Sequence, residues 1–277
     1  METVKSIGEL RKFRAGTAEP VGLVPTMGFL HSGHMALVQR ARQECASVLV
    51  SIFVNPSQFG PQEDYTSYPR NLAHDLEMLE GEKTDLVWIP GLEEMYPAGY
   101  QTWVTVEEVS LPLEGAKRPG HFRGVTTVVA KLFNAVQPHK AYFGQKDAQQ
   151  VAVIKRLVQD LNFPLEICVC PTVRDVDGLA MSSRNSYLNS AERQAAVVLN
   201  RSLKAALQAY LQGERNAYRL RQVMLDFLAA EPLAEPQYVS CAHPATLQEL
   251  EEVTAGAVLS MAVIIGKTRL IDNLILS

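Results

Sequence analysis

The first part of the chain alternates between short apolar runs and longer segments in which apolar residues recur every three or four positions. The apolar runs have the length and composition of buried strands, and they lie at residues 21–25, 47–54, 85–90, 140–144 and 165–173. The periodic segments predict helices at residues 34–45, 71–82, 125–136 and 147–161. Because strands that are apolar throughout alternate with helices, we predict an α/β domain with a parallel, doubly wound sheet over residues 1–172.

The pattern changes near Val173, where a run of polar turn residues begins. A helix is predicted to start at Asn189, because Glu192 follows three residues later as in a capping box. A second helix is predicted for about residues 216–230, and strands for residues 238–241, 259–265 and 269–276. Residues 173–277 therefore predict a second, smaller α+β domain.

Charge and composition narrow the class of protein. The chain has 277 residues and a net charge of −4, which argues against nucleic acid as a partner. Its amino terminus is charged and lacks the apolar core of a signal peptide. The longest apolar run near the carboxyl terminus, at residues 253–266, is too short to span a membrane. The four cysteines form no C-x-x-C pair, so we expect buried thiols in a reducing compartment and a cytoplasmic protein without a membrane partner.

The loop after the first predicted strand carries the motif P-T-M-G-F-L-H-S-G-H at residues 25–34. His31 and His34 stand where a helix begins, and Gly33 between them has no side chain to keep a ligand away. A helix amino terminus attracts phosphate, and imidazoles can donate hydrogen bonds to it. The alternative is two ordinary loop histidines, which the strand–loop–helix context disfavours.

A second motif, L-A-M-S-S-R-N at residues 179–185, lies just beyond the predicted domain junction. The hydroxyls of Ser182 and Ser183 and the guanidinium of Arg184 form a donor set suited to phosphate. Taken alone, the segment is better explained as a solvated turn. Paired with the histidine motif, it resembles the two signatures of the nucleotidyltransferase superfamily, which serve attack on the α-phosphate of ATP.

Two further motifs follow predicted strands. In F-G-Q-K-D-A-Q-Q, at residues 143–150, Lys146 offers a mobile cation and Gln150 lies about one turn further on, although Asp147 is also explained as a helix cap. In F-V-N-P-S-Q-F-G, at residues 53–60, Asn55 and Gln58 offer amides that can orient hydroxyls or a carboxylate, although turn formation explains them as well.

A glycine-rich, basic segment lies at residues 114–124, with the sequence E-G-A-K-R-P-G-H-F-R-G. From Glu114 to Asp147 there are six Lys or Arg residues against two acids. We predict a mobile flap, at residues 115–124, over an anionic substrate, with a solvated surface loop as the alternative.

Taken together, the five motifs resemble the pantothenate synthetase family in identity and order, from residue 25 to residue 185. The carboxyl-terminal hundred residues match that family only by size and general role. The resemblance implies that ATP, pantoate and β-alanine give pantothenate, AMP and pyrophosphate through a pantoyl-adenylate. It also implies Mg²⁺, a Rossmann-like first domain, a second domain that acts as a lid, and a homodimer.

The resemblance also implies roles for single residues. His31 and His34 would be catalytic residues that contact the ATP phosphates. Four more catalytic residues would hold the phosphates as pyrophosphate leaves: Lys146, Ser182, Ser183 and Arg184. The ATP site would include, beyond His34 and these four, Met27, Gly33, Gly144, Asp147 and Val173. Pantoate would be bound by Asn55, Gln58 and Gln150. Asp75 lies near the region where a metal ligand is expected, although ATP oxygens and water can hold most of the Mg²⁺ coordination.

Two other functions remain open from the sequence. A related adenylyltransferase that transfers AMP to a phosphate would share the histidine motif but would not need Asn55, Gln58 and Gln150 for a small hydroxy acid. A non-catalytic nucleotide-binding protein would not need to keep every polar residue that the chemistry requires.

Overall fold

The computed structural model describes residues 1–277, and the chain divides into two compact units. Each unit is assembled from separate stretches of sequence. The first contains residues 1–107, 118–144 and 153–171, and the second contains residues 108–117, 145–152 and 172–277.

The first unit is built on six parallel strands. They are β1 Glu2–Val4, β2 Val21–Thr26, β3 Ser47–Ile52, β4 Leu86–Trp88, β5 Lys140–Gly144 and β6 Glu166–Cys170. Their order across the sheet is β1-β4-β3-β2-β5-β6. The chain thus builds outward from β2 on one side through β3 and β4, and then continues on the other side with β5 and β6. The change of direction falls between β2 and β5, and in open α/β sheets ligands bind at the carboxyl ends of strands beside such a point.

Ten α-helices accompany the strands. They are α1 Ile7–Ala15, α2 Ser32–Glu44, α3 Leu72–Gly81, α4 Leu92–Met95, α5 Glu114–Lys117, α6 His121–Val136, α7 Ala148–Asp160, α8 Ser190–Ala195, α9 Val198–Leu211 and α10 Ala217–Ala229. None of them is both long and apolar enough to cross a bilayer.

Buried aliphatic side chains explain why the central strands form the sheet. Every residue of β3 is buried, as expected for a strand covered on both faces. Val24 of β2 and Val50 of β3 pack in one cluster with Val38 and Ala41 of α2, which lie three positions apart on one face of that helix. This packing fixes α2, and therefore the loop that leads into it.

The second unit has its own sheet and its own core. Its strands are β7 Ala234–Ala242, β8 Val258–Ile265 and β9 Thr268–Ile275, and they pair antiparallel in that order. Leu203 of α9, Met224 of α10 and Leu259 of β8 are completely buried in one cluster. The prediction of a parallel, Rossmann-like sheet with a smaller α+β part is therefore confirmed.

The structure differs from the local predictions in two places, and one strand was not predicted. The three-residue strand β1 is absent from the sequence prediction because it is too short to show a period. The helix predicted from Asn189 is two helices, α8 and α9, and no glycine or proline marks the break between them. The predicted flap at residues 115–124 is largely helical, since α5 ends at Lys117 and α6 begins at His121.

Candidate active site

A buried carboxylate stabilises the loop that follows β2. Gly28 and Phe29 both have positive φ angles, 79° and 50°, so the chain turns sharply there. Asp75 of α3, which is 1% exposed, accepts the backbone N–H of Phe29 at 2.9 Å and that of Leu30 at 2.7 Å. A Cβ on Gly28 would lie 3.0 Å from an Asp75 oxygen, so glycine is needed at this turn.

His31 and His34 form the cap of α2. Nδ1 of His31 accepts the backbone N–H of Gly33 at 3.1 Å, and Nδ1 of His34 accepts the backbone N–H of His31 at 3.3 Å. Because each Nδ1 accepts, each neutral ring carries its proton on Nε2. The ring centres lie 4.1 Å apart, and the first turn of α2 contains no acidic side chain to offset its partial positive charge.

The loop after β3 carries the two predicted amides in a short 3₁₀ turn, Pro56–Gln58. Asn55 is 1% exposed and its amide is occupied within the protein. Its nitrogen donates to the Gln58 side chain at 3.1 Å and to the Gly124 carbonyl at 3.2 Å, and its oxygen accepts the Tyr96 hydroxyl at 2.9 Å. Asn55 therefore organises this loop, and the Gln58 side chain reaches Met27 Sδ at 3.2 Å.

The segment predicted to be a flap is locked to the same loop. Nδ1 of His121 donates to the Gln58 carbonyl at 2.8 Å, while Arg118 makes a two-pronged ion pair with Glu63, both contacts 2.7 Å long. Burial tends to raise the pKa of Glu63, but the hydrogen bond and charge of Arg118 outweigh it and hold that pKa below its ordinary value. Pro119 and Gly120 of this segment thus lie between two helices, with Gly120 at φ 84° as the cap of α6.

The basic patch predicted between residues 114 and 147 is largely neutralised or covered. Arg118 pairs with Glu63, and Lys140 pairs with Glu44 at 3.1 Å. The guanidinium of Arg123 lies 4.6 Å from the ring centre of Trp103, and the ammonium of Lys131 lies 4.6 Å from that of Tyr100. Four of the six cations counted from the sequence therefore have local partners.

In the second unit, Lys146 lies in a 3₁₀ turn, Gln145–Asp147, that leads directly into α7. The side chain of Asn273 donates to the carbonyls of Gln145 and Lys146, at 2.9 and 2.8 Å. Gln150 follows in the first turn of α7, half-buried like Lys146 and Asp147.

The serine–arginine motif follows a tight hairpin in the second unit. Arg174 and Ala180 form a bridge, and the N–H of Met181 donates to the Val173 carbonyl at 3.0 Å. Ser182 then caps a 3₁₀ helix, Ser183–Tyr187, by accepting the N–H of Arg184 at 3.3 Å. The polar turn predicted after residue 173 is therefore confirmed as this hairpin.

The predicted site residues fall into two groups. The first unit holds Met27, His31, Gly33, His34, Asn55, Gln58, Asp75 and Gly144. The second unit holds Lys146, Asp147, Gln150, Val173, Ser182, Ser183 and Arg184. Within the first unit, a chain of contacts joins Asn55 to Gln58 and Gln58 to Met27.

Asp75, predicted as a candidate metal ligand, is engaged with the backbone, and its metal role stays a prediction. Both of its oxygens accept backbone N–H groups of the loop after β2. No group of three or more His, Cys, Asp or Glu side chains suited to a metal ion occurs in the structure. The chain shows no metal cage of its own, and Mg²⁺ stays a prediction.

Several organising residues of the second unit carry no signal in the sequence. Glu114, 6% exposed, accepts both prongs of Arg269 at 2.7 Å and the Tyr238 hydroxyl at 2.8 Å. Gln149 accepts the N–H of Glu114 at 2.9 Å and donates to the Pro112 carbonyl at 2.7 Å. Their partners lie up to 155 positions away, so only the fold reveals them.

An open parallel sheet, a histidine-capped helix beside its switch point, and turns rich in cations and hydroxyls define a nucleotide-binding α/β enzyme. A sequence model described as pantoate-beta-alanine ligase matches residues 1–275. The chain belongs to the pantoate–β-alanine ligase family. It is an enzyme, a ligase, as predicted from the five motifs.

Comparison with single proteins agrees with this assignment. The chain is 58% identical over 277 residues to a pantothenate synthetase of Herpetosiphon aurantiacus, with 100% of each chain covered. A solved pantothenate synthetase of Thermus thermophilus is 49% identical, with 99% of each chain covered and a TM-score of 0.95. A Francisella tularensis pantoate–β-alanine ligase, solved in complex with β,γ-ATP and β-alanine, is 35% identical, with 99% of this chain and 97% of that one covered and a TM-score of 0.80.

Proposed function

We propose that this chain condenses pantoate with β-alanine at the expense of ATP, through a pantoyl-adenylate. The observation that carries the proposal is the His31–His34 pair, which caps α2 beside the switch point of the sheet. A helix terminus without an acidic residue in its first turn suits an anion, and imidazole donors suit phosphate oxygens that gain charge. The ligand complex of the Francisella relative supports ATP and β-alanine as substrates.

Two displacements account for the products. In the first, a carboxylate oxygen of pantoate attacks the α-phosphorus of ATP, and the bond to pyrophosphate breaks. In the second, the amine of β-alanine attacks the acyl carbon, the bond to AMP breaks, and the nitrogen loses a proton. Neither step requires a covalent bond to the protein, so the residues act by positioning the substrates and by stabilising charge.

In the first unit, His31 and His34 would donate to the ATP phosphates, with Met27 and Gly33 in the same loop. Gln58 would bind pantoate, and Asn55 would hold Gln58 in place, since its amide nitrogen donates to the Gln58 side chain at 3.1 Å. A direct contact of Asn55 with pantoate stays a prediction.

Gly144 ends β5 beside β2, and a Cβ built there would meet no protein atom within 4 Å. The protein itself therefore does not require glycine at this position. The open space leaves room for the nucleotide ribose, which we predict to pass over Gly144.

In the second unit, Lys146, Ser182, Ser183 and Arg184 would hold the phosphates and the charge that develops as pyrophosphate leaves. Asp147 would meet the ribose and Gln150 the pantoate. Val173 would line the ATP site from the hairpin, where its carbonyl accepts the N–H of Met181.

Four further statements stay predictions. ATP would enter as its Mg²⁺ complex, the second unit would act as a lid, the enzyme would be a homodimer, and it would work in the cytoplasm. Light scattering of the purified protein, compared with its 30.6 kDa chain mass, tests the dimer.

Pyrophosphate exchange into ATP tests the adenylate step, with pantoate and Mg²⁺ present and β-alanine absent. We expect exchange that depends on pantoate. Exchange that needs a phosphate-bearing acceptor instead would indicate an adenylyltransferase, and ATP binding without any exchange would indicate a non-catalytic nucleotide-binding protein.

A further inference from the structure

Asn273 of β9 directs a buried amide at the turn that carries Lys146. The side chain is 5% exposed. Its nitrogen uses both hydrogens, on the carbonyls of Gln145 and Lys146, and its oxygen accepts the Gln145 side-chain amide at 3.2 Å. Three hydrogen bonds from one residue thus converge on two consecutive residues of the turn.

These bonds act on the backbone on both sides of the Lys146 Cα atom. The carbonyl before it belongs to Gln145 and the carbonyl after it belongs to Lys146 itself. Fixing both peptide groups fixes the direction in which the Lys146 side chain leaves the turn. The lysine side chain is long and flexible, so the protein controls its position mainly by fixing the backbone from which it extends.

Asn273 is in turn held by a buried ion pair. Its N–H donates to Asp272 at 2.8 Å, and Asp272 is 1% exposed. Arg174 makes a two-pronged contact with Asp272, at 2.7 and 2.8 Å, and also donates to the Gly178 carbonyl at 3.1 Å. Arg174 is part of the hairpin that leads into Ser182.

One network, Arg174–Asp272–Asn273, therefore supports both turns that carry the phosphate-binding residues of the second unit. We propose that Asn273 is a positioning residue for adenylation, which acts through the backbone of Gln145 and Lys146. It holds Lys146 in a fixed relation to the turn of Ser182–Arg184. This inference rests on the proposed function, in which these residues meet the ATP phosphates.

The first test is the rate of pantoate-dependent pyrophosphate exchange in N273A. We expect kcat to fall by roughly 10- to 100-fold, as for a catalytic group displaced by about 1 Å. The KM for pantoate should change less than kcat, because Gln58 and its supports lie in the first unit, and of the predicted pantoate residues only Gln150 follows this turn. N273D keeps the volume but replaces the two N–H donors by an oxygen that faces the two carbonyls, so it should be impaired at least as much.

Ser260 of β8 offers a matched control. It lies directly opposite Asn273 in the strand register, is 7% exposed, and its hydroxyl has no hydrogen-bond partner. S260A therefore removes a buried polar group at the same level of the sheet without touching the turn. It should exchange pyrophosphate at the rate of the parent enzyme.

A double variant separates positioning from general structural damage. If Asn273 acts through Lys146, then N273A should change the residual rate of K146A by no more than about twofold, because coupled residues are not additive. An equal further fall in the K146A background would overturn the proposal, as would N273A and N273D with exchange rates within about twofold of the parent. A K146A enzyme with full activity would instead remove Lys146 from the proposed function, and the inference would fail with it.

Discussion

At the scale of single residues, Asp75 shows how one buried carboxylate shapes the loop that carries His31. Its two oxygens accept two consecutive backbone N–H groups at the point where Gly28 and Phe29 adopt positive φ angles. Such a conformation is costly for phenylalanine, and charge-assisted hydrogen bonds offset that cost. The placement of His31 therefore depends on a residue 44 positions later in the chain.

We predict that Asp75→Asn lowers the rate of pyrophosphate exchange by at least roughly tenfold, because an amide nitrogen cannot accept an N–H and the loop shifts. The variant should also lose about 1–3 kcal/mol of unfolding free energy, since a buried donor is left unpaired. Urea denaturation and exchange assays measure both effects. Glu77→Gln, on the exposed face of the same helix, is the control and should change neither.

Lys146 gives a second prediction at this scale. Lys146→Ala should slow adenylation by roughly 100-fold, by analogy with loss of one donor to a developing charge. Pre-steady-state measurement of pantoyl-adenylate formation tests it. Lys155→Ala makes the same substitution at an exposed position of α7 and should leave the rate unchanged. A Lys146→Ala enzyme that retains most of its adenylation rate would show that another cation does this work.

The sequence points more readily to candidate ligand-binding residues than to the residues that hold them in place. Histidine, lysine and serine–arginine motifs stand at strand ends, where chemistry requires particular side chains. Asn273 and Glu114 lie inside a strand and a short helix, and their sequence neighbours give no hint of their partners. Their function depends on contacts more than 100 positions away, which local periodicity cannot show.

At the scale of elements, α6 and the loop after β3 touch backbone to backbone. A Cβ on Gly124 would overlap the Ser57 carbonyl and lie 2.6 Å from the Gln58 nitrogen. Only glycine allows this approach, which brings the Gly124 carbonyl to the Asn55 amide. In the segment predicted as a mobile flap, Gly124 therefore serves close helix packing.

We predict that Gly124→Ala destabilises the protein by about 1–3 kcal/mol, the usual cost of overpacking, and raises the KM for pantoate by displacing Gln58. Gly81→Ala provides the comparison, because a Cβ there meets no atom within 4 Å. It should be neutral or stabilising by up to about 1 kcal/mol. Thermal unfolding of the two variants side by side measures the difference, and equal midpoints would contradict the packing argument.

Glu44, at the end of α2, ties that helix to the neighbouring strands. It accepts from Arg40, from Lys140 at 3.1 Å and from the Tyr142 hydroxyl at 3.0 Å. The hydrogen bond from Arg40, followed by that from Lys140, lowers the pKa of Glu44 from 4.5 to about 2. Because the folded-state pKa is depressed, the stabilisation is complete above pH 4.5 and is lost as the pH falls toward 2.

Glu44→Gln should therefore unfold at a lower urea concentration than the parent protein at pH 7. The gap between the two midpoints should begin to narrow below about pH 4.5 and close near pH 2. Urea titrations at pH 7, 4 and 3 test this dependence. A gap that stays constant over that range would show that Glu44 acts through packing rather than through its charge.

The parallel sheet and most helices could be predicted because the long, apolar or strongly periodic segments dominate their local signal. The errors share one cause: tertiary contacts decide where a helix or strand begins and ends. The continuous apolar periodicity across Ala195 to Leu199 hid the break between α8 and α9. Gly120 and Gly124 suggested a loop, although one is a helix cap and the other a packing contact.

At the scale of the whole molecule, the second unit depends on a buried charge cluster. Glu114 belongs to the segment 108–117, whereas its partners Tyr238 and Arg269 belong to the last 45 residues. Burial, with the negative charge of Glu114 beside the hydroxyl, raises the pKa of Tyr238, so that hydroxyl stays a donor. The cluster joins an early stretch of chain to the carboxyl-terminal sheet.

We predict that Glu114→Ala destabilises the second unit by about 3–5 kcal/mol, because the Arg269 charge loses its buried partner. Replacing both residues by methionine should cost less than the single change, since no buried charge is left unpaired. Denaturant unfolding measures both. Asp160→Ala breaks an exposed ion pair with Arg156 and should cost less than about 1 kcal/mol.

The interleaving of the two units has a consequence for synthesis on the ribosome. All six strands of the parallel sheet have been made once residue 170 is complete, so this sheet can form early. The segments 108–117 and 145–152 are synthesised before residue 170 as well. The strands of the second unit, to which these segments belong, are not complete until residue 275. During that interval the Glu114 carboxylate and the Lys146 turn remain in water. A nascent chain stalled before β9 should therefore already have its parallel sheet, while the Lys146 turn still lacks the support of Asn273.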